Sequence, residues 1–170
     1  MADRRRNLGI PSGVVFPFAG NSAPYGYLIC DGRPVLQSEY PSLFLSVGFS
    51  HGDGSQNSDG TPSGFTSGTH FNLPDYRGRF LRGVDGLAGN DPDTSTRTAL
   101  KAGGNTGNTV GSVQTDQFKN HTHTVETKVD THGVDPGGSY WRGSQFVQSG
   151  GAGGNETRPK NVNVNYIIKI

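Results

Sequence analysis

The chain has 170 residues, enough for one ordinary domain, with 15 basic and 14 acidic side chains. So even a balance leaves no electrostatic footprint for nucleic acid, and no stretch approaches the roughly 20 apolar residues of a membrane-spanning helix. Glycine supplies 27 residues and the hydrophobic fraction, glycine excluded, is 31%; a lone copy buries a thin core, so either much of the chain is ordered loop or neighbouring copies complete the core.

Residues 1–10 carry the basic run Asp3-Arg4-Arg5-Arg6 and read as a solvated tail. No apolar segment follows these arginines, so a signal peptide is not expected. Residues 14–18, VVFPF, and 27–30, YLIC, read as short strands. Asn21 to Gly26 make the turn between them, and Asp31-Gly32 closes the second. Cys30 is the single cysteine, so no intrachain disulfide can form, and a buried, inert thiol is expected. SEYPSLFLSVG is the expected helix. Ser38 is placed as its N-cap, and Pro41 falls in its first turn, where a missing N–H costs little. Tyr40, Leu43, Phe44 and Val47 form one apolar face, and Gly48 is the stop.

Residues 50–70 and 86–112 read as long loops rich in glycine and small polar residues. Between them, FNLPDYRGRFLRGVD alternates apolar residues imperfectly with arginines. HTHTVETKV reads as a strand, and residues 131–155 are glycine-rich but carry Tyr140, Trp141 and Phe146. The final NVNVNYIIKI alternates cleanly. Val162, Val164, Tyr166, Ile168 and Ile170 are expected on a buried face, with Asn161, Asn163, Asn165, Ile167 and Lys169 opposite. Loops this long in a compact domain are functional or held by a partner.

Few residues form a recognisable chemical set. Asp91 with Asp93, and Asp31 with Glu39, read as turn and cap residues rather than acid–base pairs. No nucleophile elbow is present. Asp53, Ser55, Asn57 and Asp59 alternate as calcium ligands do, but the glycine is misplaced for an EF-hand loop and no glutamate closes it, so turn chemistry is expected. GGNTGN lacks the lysine of a phosphate-binding loop. Arg77, Arg79 and Arg82 flank Phe80 and Leu81, with Asp75, Asp85 and Glu156 as ion-pair partners. His121 and His123 stand two positions apart, so in a strand both imidazoles share one face. One copy offers two nitrogens, too few for a closed tetrahedral site. Three copies around a three-fold axis would supply six, and two copies four.

Taken in order, GYLICDGRPVLQSEYPSLFLSVG, HFNLPDYRGRFLRGVD, NHTHTV and ETRPKNVNVNYIIKI resemble the phage tail-collar family over roughly residues 11–85, 115–125 and 156–170. The resemblance implies a mainly β chain with one short helix and long ordered loops, intertwined as a homotrimeric fibre tip around a three-fold axis. It implies a collar domain at 11–112 and a tip at 113–170 with a closing strand. At the axis His121 and His123 of three chains would hold one transition-metal ion. Iron(II) suits six nitrogens best, with zinc or nickel as alternatives. The loop 126–155, with Tyr140, Trp141, Arg142 and Phe146, would recognise a bacterial surface glycan or lipopolysaccharide, since aromatic rings stack on sugar faces and arginine pairs with phosphate. The implied function is receptor binding rather than catalysis, without nucleic-acid binding or membrane insertion. The place is a virion tail fibre, or a contractile injection particle outside the cell, made in the host cytoplasm. The alternative is a structural collar or assembly protein that recognises no receptor.

Overall fold

The computed structural model describes residues 9–65, 68–118, 120, 122 and 158–170. They are mainly strand and ordered loop with one short α-helix, as expected. The chain divides into two compact units, Met1–Thr115 with Val162–Ile170, and Asp116–Asn161. All described strands and helices belong to the first.

Strand β1 (Val15–Phe18), strand β2 (Tyr27–Ile29) and the closing strand β7 (Asn165–Lys169) form an antiparallel sheet in the order β1-β7-β2. The last strand in sequence is therefore the middle strand in space. Ile168 stands opposite Val15 on one side and Leu28 on the other, and is fully buried. Ile167 is also buried, at 4% exposure, although the alternation assigned it to the polar face. Ile167 lies between Phe16 and Ile29 of the two flanking strands, and it is this central position that buries it where the alternation alone placed it on the polar face. The strand is also shorter than expected. β1 ends by pairing Phe18 with Asn165, no strand among the described residues pairs upstream, and Val162 and Val164 are exposed in the single chain.

Two further strands, β3 (Pro34–Leu36) and β4 (His70–Asn72), pair antiparallel. They are too short to carry a period: β3 shows no sequence signal of its own, and β4 straddles the end of the expected 50–70 loop and the start of the imperfectly alternating FNLPDYRGRFLRGVD segment. Their pairing continues beyond the ladder. Gly32 N–H donates to the Pro74 carbonyl at 3.0 Å, Leu73 N–H to Arg33 at 3.0 Å and Tyr76 N–H to Cys30 at 3.2 Å. The CDGR and NLPDYR segments thus run side by side. Gly32, at φ +76°, leaves room for the Asp75 side chain, whose Cβ would lie 2.8 Å from any Cβ added there.

Helix α1 (Pro41–Val47) begins at Pro41, with Tyr40 as its N-cap and no side-chain capping bond. Ser38 lies outside it, because the Tyr40 N–H donates back to Leu36 in a preceding turn. Proline's fixed φ starts the helix where the expected cap does not. Gly48 ends it as expected, donating its N–H to the Phe44 carbonyl at 2.8 Å with φ +54°. The helix lays Leu43 onto Cys30, Val35, Phe71, Leu73 and Ile168, with Tyr40, Phe44 and Val47 at the edge of that cluster. Phe44 meets Phe71 at 5.3 Å between ring centres.

The region 86–112 is not loop throughout. It holds a 3₁₀ turn (Thr94–Thr96) and strand β5 (Thr98–Ala99), which pairs with β6 (Ser112–Val113). Side-chain-to-backbone hydrogen bonds hold the long loops where apolar contacts are few. The fully buried Asn72 amide accepts from Gly54 N–H at 2.9 Å and donates to the Gly32 and Gln56 carbonyls at 2.9 and 2.8 Å. Lys101 Nζ, also buried, donates to the Asn57 and Ser58 carbonyls at 2.7 and 2.9 Å. No side-chain nitrogen or oxygen fully sealed from solvent among the described residues lacks a partner.

Candidate functional site

The start of β1, the end of α1 and the turn after it, with Tyr76, line an open cleft of about 440 Å³. Ser12, Ser46, Ser50, His51 and Tyr76 contribute its polar groups, and none of its lining residues carries a charge at neutral pH. His51 is buried and makes no hydrogen bond through its ring among the described residues. Burial lowers its pKa to about 4, so the imidazole is neutral at neutral pH. It meets the edge of Tyr76 at 5.9 Å, and Tyr76 in turn meets Tyr166 at 5.7 Å. Burial, with the Cys30 charge next, pushes the Tyr76 hydroxyl up to about 12. Burial, then the charges of Asp31 and Asp75, pushes the Cys30 thiol up to about 12 as well. Cys30 is therefore the inert thiol expected, because a nucleophilic cysteine needs the opposite shift.

The arginine run resolves into separate roles. Arg77 pairs with Asp75 through two bonds of 2.8 and 2.7 Å. Arg82 reaches Asp91 at 3.6 Å rather than Asp85. Asp91 is itself buried and also pairs with Arg97 at 3.3 Å. Asp85 instead accepts from the backbone N–H groups of Gly89, Asn90 and Asp91 at 2.9, 2.7 and 3.0 Å, closing a loop. Asp53 and Asp59 do the same on a smaller scale with Ser55 and Thr61, which is the turn chemistry expected of them. No group of three or more histidine, cysteine, aspartate or glutamate side chains converges among the described residues.

The residues singled out for metal and receptor lie elsewhere. His121 and His123 fall outside the described residues, as do His132, Glu156 and the whole loop 126–155 with Tyr140, Trp141, Arg142 and Phe146. Of the NHTHTV segment only Asn120 and Thr122 are described, both exposed. Three described residues escaped the sequence reading: His51, Asn72 and Lys101. Each sits in or beside a polar, glycine-rich stretch, and only the fold buries it.

Comparison with known proteins agrees with the architecture. The family model described as Phage Tail Collar Domain matches residues 13–81, from the approach to β1 through the arginine run. Protein RhiB of Rhizobium leguminosarum bv. viciae is 33% identical over 202 aligned positions, covering 95% of this chain and 87% of that protein. The uncharacterized protein StfE of Escherichia coli (strain K12) is 25% identical over 191 positions, covering 94% and 88%. With one relative matched along nearly its whole length and the collar model lying on β1, β2, β3, α1 and β4, the chain belongs to the phage tail collar family.

Proposed function

We propose that the protein is a homotrimeric tail-fibre tip that binds a bacterial surface receptor, a saccharide such as the glycan of lipopolysaccharide, and does so without catalysis. The observation that carries the reading is the collar match over residues 13–81. A second observation supports the trimer: among the described residues, fourteen large apolar side chains are exposed, whereas six, with Cys30, are buried. A chain that leaves more apolar residues outside than inside gains by assembling. On this reading the collar is the scaffold, and the loop 126–155 carries recognition through Tyr140, Trp141, Arg142 and Phe146. His121 and His123 are the residues that would hold a metal ion, one per trimer with iron(II) preferred, and its chemistry there would be cross-linking of chains. The place of action is a virion tail fibre or an extracellular contractile injection particle. No helix among the described residues is long and apolar enough to cross a membrane.

The test is adsorption to host cells by the wild type and by Trp141→Ala. Base–aromatic stacking is worth on the order of 1–3 kcal/mol, and by analogy with it the variant is expected to lose roughly five-fold or more in adsorption while remaining trimeric. Equal adsorption by both proteins removes the loop from recognition. Failure of the wild type to bind cells or purified lipopolysaccharide favours the purely structural collar.

A further inference from the structure

Four polar side chains on the open cleft have no hydrogen-bond partner. The hydroxyls of Ser12, Ser50 and Tyr76 and both ring nitrogens of His51 bond to nothing among the described residues. His51 is the sharpest case, since it is only 8% exposed, and side-chain polar groups that deep in a protein are as a rule hydrogen-bonded to protein or to bound water. These atoms are not sealed either, because every fully sealed side-chain nitrogen or oxygen has a partner. What they have access to is the cleft they line. The polar groups around them are already spent. Gly13 N–H donates to the Lys169 carbonyl at 2.9 Å, Val14 N–H to Pro11 at 3.4 Å and Ser50 N–H to Val47 at 3.1 Å, while the Ser50 carbonyl accepts from Asn105 at 3.1 Å. The Ser46 hydroxyl donates to the Ser42 carbonyl at 3.1 Å. The rest of the lining is apolar, with Val14, Val15, Val47 and Val110 among it.

We propose that this cleft is a binding site for an uncharged sugar unit, held by hydrogen bonds from its hydroxyls to Ser12, Ser50, His51 and Tyr76 with its C–H face against the valines. The ligand class follows from the lining alone and does not depend on recognition by the loop 126–155. Charge is the first filter. No lining residue is an acid, a lysine or an arginine, and burial keeps the His51 ring neutral. A phosphate, carboxylate or ammonium group would lose hydration there and gain no counter-charge. Polarity is the second. A purely apolar ligand would displace water from the hydroxyls and the imidazole and leave them without partners, which costs free energy at each one. The third is the kind of donor on offer. A peptide adds to a protein edge through its backbone, and Gly13, Val14 and Ser50 have no backbone N–H to give. Side-chain hydroxyls both donate and accept, and a neutral imidazole carries one donor and one acceptor. A sugar hydroxyl also does both, so each of the four groups can pair with it. A volume of about 440 Å³ lies within the roughly 300–1,000 Å³ usual for small-ligand sites, and an open cleft admits one unit of a longer glycan.

The experiment is nuclear magnetic resonance of the full-length protein with isotope-labelled histidine rings, the His51 signals assigned by through-bond correlation to its backbone. Glucose, galactose, mannose, rhamnose and N-acetylglucosamine are titrated singly, with glucuronate and inorganic phosphate as charged probes. Expected is a saturable shift of the His51 ring signals with at least one neutral sugar, half-complete at millimolar concentration for a ligand of so few atoms, and none with either charged probe. Substituting Ser12→Ala together with Ser50→Ala is expected to weaken that binding at least about five-fold, the effect of two neutral hydrogen bonds lost. Trp141→Ala is expected to leave it unchanged, which separates this site from recognition by the loop 126–155. Should the double variant fail to fold, the wild-type titration still decides. Absence of a saturable shift with all five neutral sugars overturns the site. So does a shift produced only by glucuronate or phosphate, or one that the double variant retains in full. A His51 ring already shielded from a soluble paramagnetic probe in the sugar-free protein means that protein fills the cleft, and overturns it as well.

Discussion

His51 is a titratable group placed where it can be only neutral. Its folded pKa lies near 4, against 6.5 for a free imidazole, because burial penalises the charged form. The unfolded chain therefore binds more protons between these values. Stability is fully present above pH 6.5 and falls as the pH drops toward 4, by up to about 3 kcal/mol for a shift of this size. Urea titrations from pH 7.5 to 4 should show this loss, and His51→Phe should flatten that part of the profile. Asn72 makes the opposite kind of statement, a polar side chain in the core with both amide hydrogens and its oxygen bonded. Asn72→Leu keeps the number and branching of side-chain heavy atoms but strands Gly54 N–H and the carbonyls of Gly32 and Gln56. Each buried orphan costs about 1–3 kcal/mol, so the midpoint of chemical denaturation should fall sharply. A change below about 1 kcal/mol would mean that water replaces the amide. Neither residue was legible in the sequence. A histidine after a helix stop and an asparagine in FNLPD look like loop residues until two distant segments close over them.

At the scale of elements, α1 separates what periodicity can and cannot read. The apolar face Tyr40, Leu43, Phe44 and Val47 packs on the core as expected, because a 3.6-residue repeat needs no knowledge of the partner. The cap differs, because its identity depends on the φ and ψ values of the preceding turn. Two substitutions test the distinction by thermal or urea melting. Leu43→Ala removes a fully buried side chain and should cost about 2–5 kcal/mol. Ser38→Ala should fall within about 0.5 kcal/mol of wild type, since Ser38 makes no capping bond. A Ser38→Ala loss near 1 kcal/mol would restore it as the cap.

For the whole molecule, a hydrophobic fraction of 31% has a visible consequence. The core is a small cluster under one helix, and polar side chains bonded to backbone hold the long loops. On the proposed assembly, the rest of the apolar surface is covered by neighbouring copies and a shared metal. A ligand that binds only the assembled trimer raises its stability by mass action. Elemental analysis is therefore expected to give one ion per three chains. Removing the metal, or substituting His121→Ala together with His123→Ala, should lower the melting temperature. One ion per chain would instead indicate a site within a single copy, and absence of metal from protein prepared without chelator would remove the clip altogether.

The sequence by itself determined the family, the helix and its apolar face, the stop at Gly48, the inert Cys30 and the thinness of the core. These follow from local repeats, turn residues and composition, which act over a few positions. Tertiary structure alone decided that the last strand lies between the first two, which buries Ile167 as well as Ile168. It decided that CDGR runs beside NLPDYR, that Asn72, Lys101 and His51 go inside, and that Arg82 takes Asp91 rather than Asp85. All but the Arg82 pairing depend on contacts between segments distant in sequence, and no local pattern encodes which distant group will arrive.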